Sequence, residues 1–166
     1  MAKAPSLSRK RIDPIAQFMQ DHDQALVQLS SLKKATQSIV EHGFSEEARR
    51  RIRSALEFID DEVSVHNKSE EQALFPVLER YVEGPTRIMR EEHKVLRKEF
   101  NRLRRAASRL EKNRLSKRAA REMSDMSQTM VQLFVNHIHK ENHILFPLIQ
   151  KFLTKDALRE VARRML

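Results

Sequence analysis

The chain has 166 residues, enough for one domain with a sizeable core. Two glycines and five prolines are too few for a loop-rich or all-β chain, and the lack of cysteine excludes a disulfide framework and thiolate metal ligation. The net charge of +9, from 32 Lys+Arg against 23 Asp+Glu, leaves a nucleic-acid or anionic-surface role open, yet aromatic residues for base stacking are scarce on the basic stretches.

Residues 1–12 read as a flexible basic arm, and 13–166 as a single domain. Lys3 to Arg11 is basic but no apolar core follows it, so no signal peptide is expected. No uncharged apolar run approaches the roughly 20 residues of a membrane helix, which makes a soluble cytoplasmic protein the default.

Asp13-Pro14 is a helix start, with Asp as N-cap and Pro in the first turn. Ile15, Phe18, Met19, Leu26, Leu29, Leu32 and Ile39 then recur at helical spacing, with His22 on the same face, until Gly43. Ser45 caps a second helix, whose stripe is Ile52, Leu56, Ile59, Val63, His66, Glu70 and Leu74 and in which Pro76 is expected to introduce a kink. Gly84-Pro85 should open a third helix in the way Asp13-Pro14 opens the first, with Met89, His93, Leu96, Phe100, Leu103 and Leu110 inward. Ser116 caps a fourth, with Met123, Met126, Met130, Leu133, Phe134, His137, Glu141, Leu145 and Leu148 inward, and Thr154 caps a short closing helix. Short connections make successive helices antiparallel, so the expected architecture is an all-α, up-down-up-down four-helix bundle with a short C-terminal helix.

The pattern repeats. His66 to Pro76 and His137 to Pro147 both read His-x3-Glu-x3-Leu-Phe-Pro, 71 residues apart (137 − 66 = 71). The same offset links His22 to His93 and Ser45 to Ser116, so helix pairs one-two and three-four are one unit used twice. Residues four apart on a helix share a face, so His66 with Glu70, and His137 with Glu141, each aim an imidazole and a carboxylate inward. Buried ionised carboxylates are costly unless paired or bound to metal. A two-ion site satisfies all six groups: His22 with His66 on one ion, His93 with His137 on the other, and Glu70 and Glu141 as bridges. Imidazole and carboxylate without thiolate suit Fe, Mn or Zn. A ferritin-like site would need Glu-x-x-His, which is absent: Val63, Arg90 and Phe134 stand three before His66, His93 and His137.

From about residue 13 to 153, this doubled pattern resembles the hemerythrin-like (HHE cation-binding) domain. The resemblance implies a non-haem di-iron centre, two Fe ions that are oxo- or hydroxo-bridged, with His22, His66, His93 and His137 as ligands and Glu70 and Glu141 bridging. Oxygen-carrying members have a further His one turn after the third-helix His; here that position is Arg97, and its first-half counterpart is Leu26. The implied site is therefore open, suited to O2, NO or peroxide rather than to simple oxygen carriage. The alternatives are an iron-dependent sensory or partner-binding protein without turnover, nucleic-acid-associated or not, and an iron–sulfur repair or iron-handling protein. Arg97 is expected to bury its stem and wet its head. His139 and His143 should lie on the exposed surface, and the Met stripe of the fourth helix should fill core.

Overall fold

The computed structural model describes residues 13–165; the basic arm expected over 1–12 lies outside them. The described residues form an all-α bundle without strands. We label its helices α1 (Pro14–His42), α2 (46–78), α3 (Thr86–Lys112), α4 (117–152) and α5 (Lys155–Arg164). α1 packs on α2 and α4, and α3 packs on α4. None of the helices among the described residues is long and apolar enough to cross a membrane.

The helix starts follow the capping residues. Asp13 accepts from the amides of Ile15 and Ala16, Ser45 from Ala48, Ser116 from Ala119 and Thr154 from Ala157. Gly43 ends α1 at φ +87°, a backbone setting that glycine adopts without Cβ strain. α3 departs from expectation. Pro85 is its N-cap and supplies no side-chain bond; instead the Thr86 hydroxyl donates to Glu79 at 2.7 Å. Met19 also departs, being 38% exposed, because the inward stripe of α1 runs through Phe18 and His22 instead.

Pro76 does not stop α2. The helix passes through a π turn at Glu70–Leu74 and resumes as Phe75–Leu78, with Pro76 in the resumed first turn. α4 does the same, with a π turn at Glu141–Leu145 before Pro147. A π turn and a proline each disturb the four-residue hydrogen-bond ladder, so placing them together confines the disturbance to one turn. A third π turn at Ile59–Val63 lacks a counterpart in α4, which is α-helical over Lys117–Lys140.

Two apolar clusters fill the bundle. One runs from Ala25 to Ile39 on α1 and includes Leu103, Met123 and Met130; the other holds Phe18, Phe75, Leu78, Met89, Phe146 and Val161. The second is closed by α5, which the bidentate Arg80–Glu160 pair (2.9 and 3.0 Å) ties to the end of α2. Between the clusters, at the level of His22, His66, His93 and His137, lies one polar layer.

Candidate metal centre

Each repeat contributes to that layer from two helices. His22 (α1), His66 and Glu70 (α2), His93 (α3), and His137 and Glu141 (α4) are all buried, both carboxylates and His93 at 0% exposure. The π turns begin at Glu70 and Glu141 themselves. Glu70 lies with Oε1 3.3 Å from His66 Nε2 and Oε2 3.3 Å from His93 Nε2. Glu141 lies with Oε2 2.9 Å from His22 Nε2 and 4.0 Å from His66 Nε2, and Oε1 2.9 Å from His137 Nε2 and 3.7 Å from His93 Nε2. Each carboxylate thus turns one oxygen toward each histidine pair. Four donor atoms from His22, His66, Glu70 and Glu141 lie within 4.8 Å of one another, and so do four from Glu70, His93, His137 and Glu141.

The ring orientations are set from outside the layer by residues the sequence reading passed over. His22 Nδ1 pairs with Asn142 Oδ1 (2.8 Å), His66 Nδ1 with Asp21 (3.0 Å), His93 Nδ1 with Glu71 (2.7 Å) and His137 Nδ1 with Glu92 (2.8 Å). These partners are oxygen acceptors, so each Nδ1 carries the proton and each neutral ring turns an Nε2 lone pair inward. The Nε2 atoms approach within each pair, at 3.2 Å for His22 and His66 and 3.1 Å for His93 and His137. All four carboxylate oxygens lack a hydrogen bond of acceptable geometry. Lone pairs and anionic oxygens converging in a dry layer repel one another unless cations lie among them, so the donor set fits metal ions.

Protons answer the same need where no cation does. Burial alone would lower the His66 imidazole, but the nearby Glu70 carboxylate outweighs it and holds His66 well above its ordinary value. Burial likewise opposes charge on His93, yet Glu141 and Glu70 raise it to about 10. His137 is raised too, by Glu141 against burial. Burial favours a neutral Glu141, but four surrounding histidines drive it well below the carboxylate range.

The repeated Phe of the Leu-Phe-Pro run has a defined task. Phe146 stacks on His22 (centroids 5.5 Å, 16°) and Phe75 on His93 (6.0 Å, 19°). With the Asn142 and Glu71 contacts, each lone histidine is held by the other half's motif, so neither half forms the layer alone. The offset was the available signal for the outer partners: 92 − 21 = 71 and 142 − 71 = 71, placing them directly before each lone His and directly after each Glu.

The remaining candidates lie elsewhere. Arg97 stays more than half exposed, with Nη1 3.6 Å from Glu71. His139 and His143 are exposed, with rings 4.3 Å apart. Met123 and Met130 are core. The basic face of α3 is paired with acids, Arg102 with Glu99 (3.1 Å), Arg104 with Asp60 (3.5 Å) and Arg109 with Glu122 (2.5 Å), which reduces the free positive charge a nucleic acid would meet.

A search of curated proteins returned no match for this chain. The profile of the family described as the hemerythrin HHE cation binding domain matches residues 13–149 and also 84–166. The second match starts one repeat after the first (84 − 13 = 71), so the same profile recognises the chain in two registers. The chain belongs to the hemerythrin HHE cation-binding family.

Proposed function

We propose that this protein holds two iron ions in the polar layer and binds O2, NO or peroxide beside them, as a sensor or processor of that ligand. His22 and His66 would hold one ion and His93 and His137 the other, with Glu70 and Glu141 shared. The observation carrying this reading is the convergence of four Nε2 lone pairs on four carboxylate oxygens that have no hydrogen-bond partner. Iron bound there supplies open coordination positions and one-electron redox chemistry.

The residues around the layer support a small guest. A cavity of about 20 Å³, lined by Ala25, Phe58, Val63, Asn67, Phe134 and Ile138, touches His22, His66 and His137. One water needs about 10–15 Å³ on this measure, so the cavity suits a molecule of one or two heavy atoms. Most of its wall area is apolar, which favours O2 or NO, and the exposed Gln24 and Glu62 stand at its outer edge. Val63, Asn67 and Phe134 also line a surface groove of about 180 Å³ with Lys68, Arg97 and Asn101. These three side chains are shared by the groove and the cavity, so the two spaces lie next to each other. Arg97, standing where oxygen carriers have a further His, pairs with Glu71 at the surface and leaves the His93/His137 ion without a third histidine.

Anaerobic iron loading followed by optical spectra with O2, NO and peroxide in turn tests the proposal. A charge-transfer change with at least one of them is expected. An iron-loaded protein whose spectrum responds to none would overturn it. Steady-state assays of the loaded protein against Glu70→Ala and Glu141→Ala then separate turnover from binding alone.

A further inference from the structure

The six inward ligands obey the two-fold repeat, but the shell that orients them breaks it at one place. Asp21 and Glu92 are equivalent, and each accepts from the Nδ1–H of the motif histidine, His66 or His137. Glu71 and Asn142 also stand at equivalent positions, and each accepts from a lone histidine, but one is a carboxylate and the other a neutral amide. The distances are matched, 2.7 Å for His93 to Glu71 and 2.8 Å for His22 to Asn142, so chemistry rather than geometry distinguishes the halves. A carboxylate accepting the Nδ1–H makes the opposite ring nitrogen a stronger donor, and a charge-assisted bond is roughly twice as strong as a neutral one.

We infer that the two metal positions are inequivalent: the His93/His137 position binds its ion first and more tightly, because Glu71 backs His93 where only Asn142 backs His22. The inference rests on the two-ion reading above. Glu71 and Asn142 are positioning residues that act through the rings they hold.

Two features could oppose this difference. Arg97 draws on Glu71 from 3.6 Å, and Lys140 forms a short ion pair with Glu92. Both cations are substantially exposed and screened by water, whereas each carboxylate meets its ring directly. On the other side, Asp21 receives the neutral amide of Gln17 at 2.9 Å and pairs with no lysine or arginine among the described residues, so this contact favours His66 over His137, and the inference rests on the carboxylate-against-amide difference at Glu71 and Asn142.

A second observation divides the halves the same way. The small cavity opens beside Ala25, whose repeat counterpart is the buried Leu96, and beside Val63, whose counterpart is Phe134. The cavity therefore lies on the Ala25 side of the polar layer, against His22 and His66. Of the cavity's three histidines, two belong to the more weakly backed position. The chain thus pairs an anchored ion with one that faces the guest.

Titration of metal-free protein with Co(II), followed by calorimetry and by NMR of the paramagnetically shifted ring N–H protons, tests this. Glu71→Gln should weaken the first binding step about 10–100-fold, the usual range for such outer partners. Asn142→Asp should tighten the second step and leave the first unchanged. At one equivalent of Co(II), Glu71→Gln should move one shifted N–H resonance and Asn142→Asp should move none. Arg97→Gln removes the same surface ion pair but keeps the carboxylate, and it should not weaken the first step. Far-UV circular dichroism checks that each variant is folded, and Asn142→Asp, a near-isosteric change, remains decisive if Glu71→Gln is not. The inference is overturned if Asn142→Asp alters the first step, or if folded Glu71→Gln binds that ion as tightly as the parent. Binding of one ion in total would sink the two-ion reading instead, and the same variants would still locate that ion.

Discussion

Glu141 should matter more than Glu70, although the two are repeat equivalents. Glu141 contacts all four imidazoles, two of them at 2.9 Å, whereas Glu70 contacts only His66 and His93, both at 3.3 Å. Both are 0% exposed, so water does not screen either set of contacts. Glutamine keeps the shape and removes the charge. In metal-free protein, losing one partner of a buried ion pair costs about 3–5 kcal/mol. The four-contact carboxylate belongs near the top of that range, about 5 kcal/mol, and the two-contact one near the bottom, about 3 kcal/mol. For a domain of this size 1 kcal/mol moves the melting temperature by about 2–4 °C, so metal-free Glu141→Gln should melt about 4–8 °C below metal-free Glu70→Gln. Differential scanning calorimetry in chelator at neutral pH reads this directly. The reasoning is refuted if Glu70→Gln melts at or below Glu141→Gln, or if both melt with the metal-free parent.

Ala25→Leu copies the repeat's own Leu96 into the cavity. It should cost about 1–3 kcal/mol through overpacking, leave metal content unchanged, and weaken NO binding by more than about tenfold; NO titration of loaded protein checks it, and unchanged affinity would exclude the cavity as the guest's place. Asp21→Asn removes the charged partner of His66 and should lower metal affinity about 10–100-fold in a chelator competition, with the fold intact. The metal-free protein should also show a defined pH profile. His66, His93 and His137 are raised, so their stabilisation is complete below the unfolded value of 6.5 and is lost as pH climbs toward about 10. Glu141 is lowered, so its share is present above 4.5 and is lost as pH falls below that. Melting temperature should therefore peak between about pH 4.5 and 6.5 and decline on the alkaline side; a rise from pH 6.5 to 9 in chelator would contradict this.

Much of the fold was legible because its signals are local. Asp13, Ser45, Ser116 and Thr154 each cap the helix they precede, since a side-chain oxygen one residue before an amphipathic run needs no tertiary context to find an amide. The convergence of the six inward residues follows from one offset applied to two helix pairs. The π turns were not legible, because one extra residue in a turn leaves the spacing of His66 and Glu70 unchanged and appears only in the backbone. The start of α3 lies where Gly84-Pro85 placed it, but its capping was not legible: Pro85 resembles Pro14 in sequence, yet no acceptor side chain stands before it. The outer partners Asp21, Glu92, Glu71 and Asn142 were readable from the repeat, yet hydrophobic periodicity discards them as polar neighbours of the stripe. Tertiary packing gives them a purpose: α1 on α2 sets Asp21 against His66 and α3 on α4 sets Glu92 against His137, while α1 against α4 and α2 near α3 let Asn142 and Glu71 each orient the lone histidine of the other half.

The central claim is that the polar layer takes two metal ions per chain. Purified protein loaded anaerobically with excess Fe(II), then desalted, should carry two iron atoms per chain by elemental analysis and should lose both in the Glu70→Ala, Glu141→Ala double variant. One ion per chain, or retention of two by the double variant, would contradict the account.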